Sequence, residues 1–142
     1  RQMCIRDSVP TYLAGYYKYK AGDQFTEGGK PVNGKRDICD IYAIMYETSE
    51  SVPTLDGTNA FTSPNLISTA RINNAKETNE WTYFKLPFTT LPGKFIDKEK
   101  LMDGKYNIAI VFTSSLEGDH FNGAIGSTLL IDEAELIYHS ED

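Results

Sequence analysis

Along most of this chain apolar and polar residues alternate with a period of two, whereas apolar spacing at i, i+3, i+4 and i+7 is nowhere sustained over three turns. That pattern excludes a helical domain and predicts an all-β protein. Six segments carry it: Thr11 to Lys20, Asp37 to Glu47, Leu66 to Ile72, Trp81 to Phe88, Lys105 to Ser114 and Gly126 to Tyr138. In the second, Cys39, Ile41, Ala43 and Met45 fall on one face and Asp40, Tyr42, Ile44 and Tyr46 on the other, so the first set is read as core. In the fourth, Thr82, Phe84, Leu86 and Phe88 alternate with Trp81, Tyr83 and Lys85, and Pro87 marks an end or a sheet edge. In the fifth, Tyr106, Ile108, Ile110 and Phe112 are expected to point inward.

Between these segments the residue types are those of turns. Gly28 to Gly34 reads as a long loop, and Thr48 to Pro64, rich in Ser, Thr, Pro, Asp and Gly, as a surface excursion. Ile96 to Gly104 is the best helix candidate, one short turn capped by Asp97 and stopped by Gly104. A chain of 142 residues has room for one domain and one core. Strands of this length and spacing suit an antiparallel two-sheet sandwich better than a closed barrel.

Charge and cysteine content narrow the function. The formal net charge is −6, from 20 acids against 14 bases, and no basic patch is present to neutralise a phosphate backbone, so nucleic acid is not an expected partner. The apolar runs are far shorter than the ~20 residues that span a bilayer as a helix, so no transmembrane segment is expected in this stretch. Arg1 to Ser8 is encodable by AGA CAG ATG TGT ATA AGA GAC AGN, which resembles a transposase mosaic-end adapter, and it lacks alternation. Residues 1–8 are therefore expected to be a sequencing artefact and residues 9–142 the domain, cut short at its N-terminus, with one sheet left open beside the first tyrosine-rich strand. Discounting Cys4 leaves Cys39, read as a buried structural thiol; the histidines available to activate it are His120 and His139.

Four stretches together carry a family resemblance: Pro10 to Gly22 (PTYLAGYYKYKAG), Cys39 to Ala43 (CDIYA), Lys105 to Ser115 (KYNIAIVFTSS) and Gly123 to Glu133 (GAIGSTLLIDE). In order and spacing they resemble the putative carbohydrate metabolism domain of Bacteroidetes surface proteins, over nearly all of Val9 to Tyr138. The resemblance implies a jelly roll similar to carbohydrate-binding modules and glucanase-like sandwiches. It also implies a preceding Ig-like domain and an exported lipoprotein, in the periplasm or on the outer-membrane surface. It supplies no catalytic residues.

The function expected is a non-catalytic carbohydrate-binding module with a polysaccharide or glycan as partner. Sugars stack their C–H faces on aromatic rings while their hydroxyls seek charged or amide groups. The strands offer that combination at Trp81, Tyr83 and Lys85, at Asp40, Tyr42 and Tyr46, and at Tyr16 and Lys18. Against this, tyrosine is favoured at half-buried strand positions for packing alone. Two alternatives stand beside the leading reading. One is a glycoside hydrolase: Asp132 and Glu135 are spaced as in the bulged form of a glucanase-like acidic strand, yet Leu130 occupies the position of its leading glutamate, and without a bulge the two acids face opposite sides. The other is a structural or adhesion module, with a flat apolar patch. Whether the chain is an enzyme is left open. No cofactor is expected beyond a structural Ca²⁺ on Asp132, by similarity to jelly-roll binding modules; the bland reading of Asp132 is a side chain that holds a neighbouring turn.

Overall fold

A computed structural model describes residues 2–5, 9–48, 65–73, 75–114, 123–124 and 126–138. The strands are β1 (Gln2–Ile5), β2 (Tyr12–Lys20), β3 (Phe25–Glu27), β4 (Lys30–Val32), β5 (Asp40–Glu47), β6 (Leu66–Arg71), β7 (Thr82–Pro87), β8 (Thr89–Thr90), β9 (Tyr106–Thr113), β10 (Gly123–Ala124) and β11 (Thr128–Ile137). A short helix, α1 (Lys98–Met102), precedes β9. The strands form a five-stranded sheet in the order β1-β9-β5-β6-β8, a three-stranded sheet β11-β2-β7 and a small sheet β10-β3-β4. Every pairing is antiparallel. The all-β sandwich read from the alternation is thus observed.

Alternation explains which faces meet. Leu13, Tyr17 and Tyr19 of β2 and Phe84 and Leu86 of β7 pack against Ile41, Ala43, Met45 and Ile108 of the larger sheet. Several of these, such as Leu13 and Ile41, are fully buried, each contributing roughly 1.5–3 kcal/mol. Cys39 belongs to this core, and burial pushes its thiol up to about 11, which leaves it a packing group and not a nucleophile near neutral pH. Burial likewise pushes Tyr19 up to about 12, and its hydroxyl donates to the carbonyl of Ser114 at 2.6 Å. The histidines His120 and His139 lie outside the described residues.

Local chemistry explains the rest. Asp97 caps α1, its Oδ1 accepting from the N–H groups of Glu99 and Lys100, and Gly104 at φ +72° ends the turn. The glycine-rich segment expected as a loop is a hairpin, β3 to β4, because Gly28 and Gly29 at φ +57° and +87° make the tight connection that lets Glu27 and Lys30 pair. Two further expectations are corrected. The tyrosine-rich strand β2 is the centre of its sheet, flanked by β11 and β7, so among the described residues the edges of that sheet are those two strands. Phe112 stays 37% exposed because the sheets part there into a cleft lined by Leu13, Ile110, Phe112, Leu136 and Tyr138. Finally, Gln2–Ile5 form a strand on the edge of β9; main-chain pairing makes little demand on side-chain identity, so this is compatible with the foreign origin expected for residues 1–8.

Candidate functional site

The two broad sheets differ in how many faces they bury. On β5 the burial runs through both faces: Asp40, Tyr42 and Tyr46 are as enclosed as the core set. Tyr42, Ile44 and Tyr46 form a second apolar cluster with Leu66 and Ala109, closed by Leu91 and Val111. Asp40 is held by Arg71, whose Nε and Nη2 donate to Oδ1 and Oδ2 at 3.2 and 2.7 Å, with the guanidinium 5.7 Å from the Tyr42 ring centre. The expectation that Asp40, Tyr42 and Tyr46 meet a sugar is therefore corrected: a ring at 5% or 0% exposure offers no face for stacking. The sequence held the clue in Ile44, which makes this face of β5 apolar.

The outward face of β11-β2-β7 is open except at Ala14, which is fully buried. On β2 it carries Tyr12, Ala14, Tyr16 and Lys18, since Leu13, Tyr17 and Tyr19 turn inward. The antiparallel register sets Tyr16 opposite Tyr83, Ala14 opposite Lys85 and Tyr12 opposite Pro87. Trp81 and Tyr83 keep 43% and 51% of their surface in solvent, enough for a ring face to meet a ligand. The Tyr16 and Tyr83 rings lie 5.3 Å apart, tilted by 58°. Lys18 Nζ stands 4.9 Å from the Trp81 ring centre, and Lys85 Nζ 4.4 Å from that of Tyr12. Five of the eight sugar-contact residues named from sequence, Trp81, Tyr83, Lys85, Tyr16 and Lys18, thus fall on one surface. Tyr12 joins them, and the period of two from Tyr16 was its signal.

On the other flank of β2, β11 brings acids to the same surface. Leu130 pairs with Lys18 and Asp132 with Tyr16, and then a β-bulge shifts the register so that Glu135 pairs with Ala14. The extra residue puts Asp132 and Glu135 on one face, where strict alternation would have separated them. Glu133 sits at the bulge with φ +51°, and its N–H donates to Asp132 Oδ1 at 2.9 Å. The bulge fits tightly over Gly15, where a Cβ would lie 3.1 Å from the Ala134 Cα. A hollow of about 470 Å³, lined by Gly15, Tyr16, Tyr83, Glu133, Ala134 and Glu135, opens beside the bulge. Asp132 Oδ1 thus accepts a hydrogen bond within the bulge, and among the described residues no three His, Cys, Asp or Glu side chains group together. The arrangement presents ring faces for C–H stacking, ammoniums as donors and carboxylates as acceptors, the components of sugar recognition.

Comparison with known proteins bears on what this surface serves. The sequence model of the family described as putative carbohydrate metabolism domain matches residues 6–137. A putative glycoside hydrolase of known crystal structure from Bacteroides thetaiotaomicron VPI-5482 is 84% identical with a TM-score of 0.94, over 99% of this chain and 41% of that one. A second putative glycoside hydrolase, from Bacteroides vulgatus ATCC 8482, is 46% identical with a TM-score of 0.86, over 93% of this chain and 53% of that one. The chain thus spans about half or less of the length of these two proteins. No curated protein matches it. Among the described residues no helix is long and apolar enough to cross a membrane.

Proposed function

The chain belongs to the putative carbohydrate metabolism domain family, and on that premise we propose that it is a non-catalytic glycan-binding module whose recognition surface is the outward face of β11-β2-β7. One observation carries the reading: Trp81, Tyr83 and Tyr16 are displayed together with Lys18, Lys85, Asp132 and Glu135 on a sheet face that the core does not use. Rings kept in water on a β-sheet forgo the burial that normally justifies them, and a polymer of sugars restores it. By the same resemblance the module belongs to an exported surface protein, behind an Ig-like domain. Isothermal titration against a panel of plant, host and microbial polysaccharides tests the reading. The expected result is binding that falls at least tenfold in Trp81→Ala and Tyr83→Ala with the fold intact; no binding to any polysaccharide, or binding indifferent to both substitutions, refutes it.

A second reading is favoured by the bulge. Glycoside hydrolysis needs two carboxylates on one surface, roughly 5–9.5 Å apart, and the register shift brings Asp132 and Glu135 to a common face. Against it, Leu130 occupies the outward position preceding Asp132, where a third acid would strengthen the case. Release of reducing ends from polysaccharide, abolished in Glu135→Gln, would move the assignment from binding to hydrolysis.

A further inference from the structure

A second cavity adjoins the outward face of β11-β2-β7 and differs from it in kind. Where the two broad sheets part, a cleft of about 340 Å³ is lined by Leu13, Ile110, Phe112, Leu136 and Tyr138. Ala134 and Glu135 belong both to this cleft and to the hollow beside Tyr16 and Tyr83, so the bulge of β11 is a ridge between two neighbouring cavities. Phe112 on β9 and Tyr138 just past β11 keep 37% and 42% of their surface in solvent. Such a lining suits no bare sugar, because hydroxyls buried against it lose water and find few partners. It suits an apolar group. The Glu135 carboxylate adds a condition, since it repels a free carboxylic acid and tolerates a neutral ester. Size adds another. A cavity of about 150 Å³ holds a benzene, so the cleft has room for one aromatic ring and the atoms that link it.

Resting on the glycan-binding reading above, we propose that the ligand is a polysaccharide esterified with aromatic acyl groups. Its sugar rings stack on Trp81 and Tyr83, and one of them is seated at the hollow lined by Gly15, Tyr16 and Glu133. An ester on that sugar crosses the bulge at Ala134 and Glu135 and places its ring in the cleft, against Phe112 and Tyr138. There the ring covers apolar surface that water otherwise touches, and ring-to-ring contact favours it over an aliphatic group of equal size. The ester stays intact. The cleft is a recognition pocket, continuous with the aromatic platform through the two residues they share.

Equilibrium binding to a matched pair tests the proposal: feruloylated arabinoxylan against the same polymer after alkaline saponification. Methyl ferulate and free ferulate, followed through the nuclear magnetic resonance signals of Phe112 and Tyr138, probe the cleft without sugar. The variants are Phe112→Thr and Tyr138→Ser, one on each side of the cleft, with Trp81→Ala on the platform and thermal melts to confirm folding. The expected result is binding of the feruloylated polymer tighter by about fivefold or more, brought down to the level of the saponified polymer by either cleft variant, while Trp81→Ala weakens both polymers. Methyl ferulate shifts the two ring signals and ferulate does not. Equal binding of the two polymers, still dependent on Trp81, overturns the acyl inference and leaves the glycan-binding reading standing. A preference that survives both cleft variants overturns it, because the acyl group then sits elsewhere, and so do ring signals indifferent to methyl ferulate. Binding to neither polymer overturns it as well, and the glycan-binding reading is then decided by the polysaccharide panel.

Discussion

Gly15→Ala is the substitution whose cost follows most directly from the geometry. A Cβ at Gly15 would lie 2.9 Å from Phe84 Cζ, 3.2 Å from Phe84 Cε1 and 3.1 Å from the Ala134 Cα. The first distance is shorter than real Cβ contacts allow, so something has to move. Phe84 is 5% exposed and packs edge-on against Tyr17 at a centroid distance of 6.1 Å, so its ring has no free direction. Ala134 is the backbone of the bulge. Overpacking of this kind costs about 1–3 kcal/mol. Because φ at Gly15 is not left-handed, alanine also stiffens the unfolded chain, which returns about 0.4–1 kcal/mol. The net expectation is a loss of about 1–2 kcal/mol, or roughly 3–8 °C in Tm for a domain of this size. Urea unfolding followed by far-ultraviolet circular dichroism measures it, and a shift of midpoint at constant slope is the signature. The same substitution in a Phe84→Leu background should cost at least about 1 kcal/mol less, since the shared contact has gone. A Gly15→Ala protein as stable as its parent, or additive effects in the double variant, would show that the strand and bulge do not press on this glycine as described.

Three further outcomes follow from features of the same structure. Glu133 holds a left-handed conformation that costs a non-glycine residue about 1 kcal/mol, so Glu133→Gly should be no less stable than the parent and Glu133→Val less stable by about 1–2 kcal/mol; the reverse ranking in urea would remove the bulge as drawn. Tyr46 buries a hydroxyl that finds no hydrogen-bond partner among the described residues, so Tyr46→Phe should raise stability by about 1 kcal/mol, and a loss of that size would reveal a partner. Cys39 ionises at about 11 in the folded chain, against 9.0 without burial, so its contribution is fully present below pH 9 and disappears as pH rises through 11. Stability should fall by roughly 2–3 kcal/mol across that window, at about 1.4 kcal/mol per unit, and less so in Cys39→Ala; flat stability between pH 9 and 11 would contradict the burial of the thiol.

What the sequence reveals here depends on how local the cause is. Six strands and the helical turn were readable because alternation and an Asp97 cap act within a few residues of themselves. The placement of Trp81, Tyr83, Lys85, Tyr16 and Lys18 followed from alternation as well. The error at Tyr42 and Tyr46 has a tertiary cause: whether the second face of a strand meets water is decided by what packs on it, here Leu66, Leu91, Ala109 and Val111 from other segments. The bulge was legible only as a condition. The spacing of Asp132 and Glu135 shows that one extra residue would unite them, but the demand for that residue comes from the register with β2. The β3–β4 hairpin was hidden because glycines signal a turn without telling whether the residues beside it pair.

The unequal burial of the two sheets has a consequence for how this fold can diverge. Substitutions on β5 disturb packing whichever way the side chain points, so that strand is bound to its present chemistry by the demands of folding. The outward positions of β2 and β7, Ala14 apart, carry little of that burden. Exchanging Trp81, Tyr83 or the neighbouring lysines would leave the scaffold beneath as it is. Surface chemistry and foldability are set on different strands.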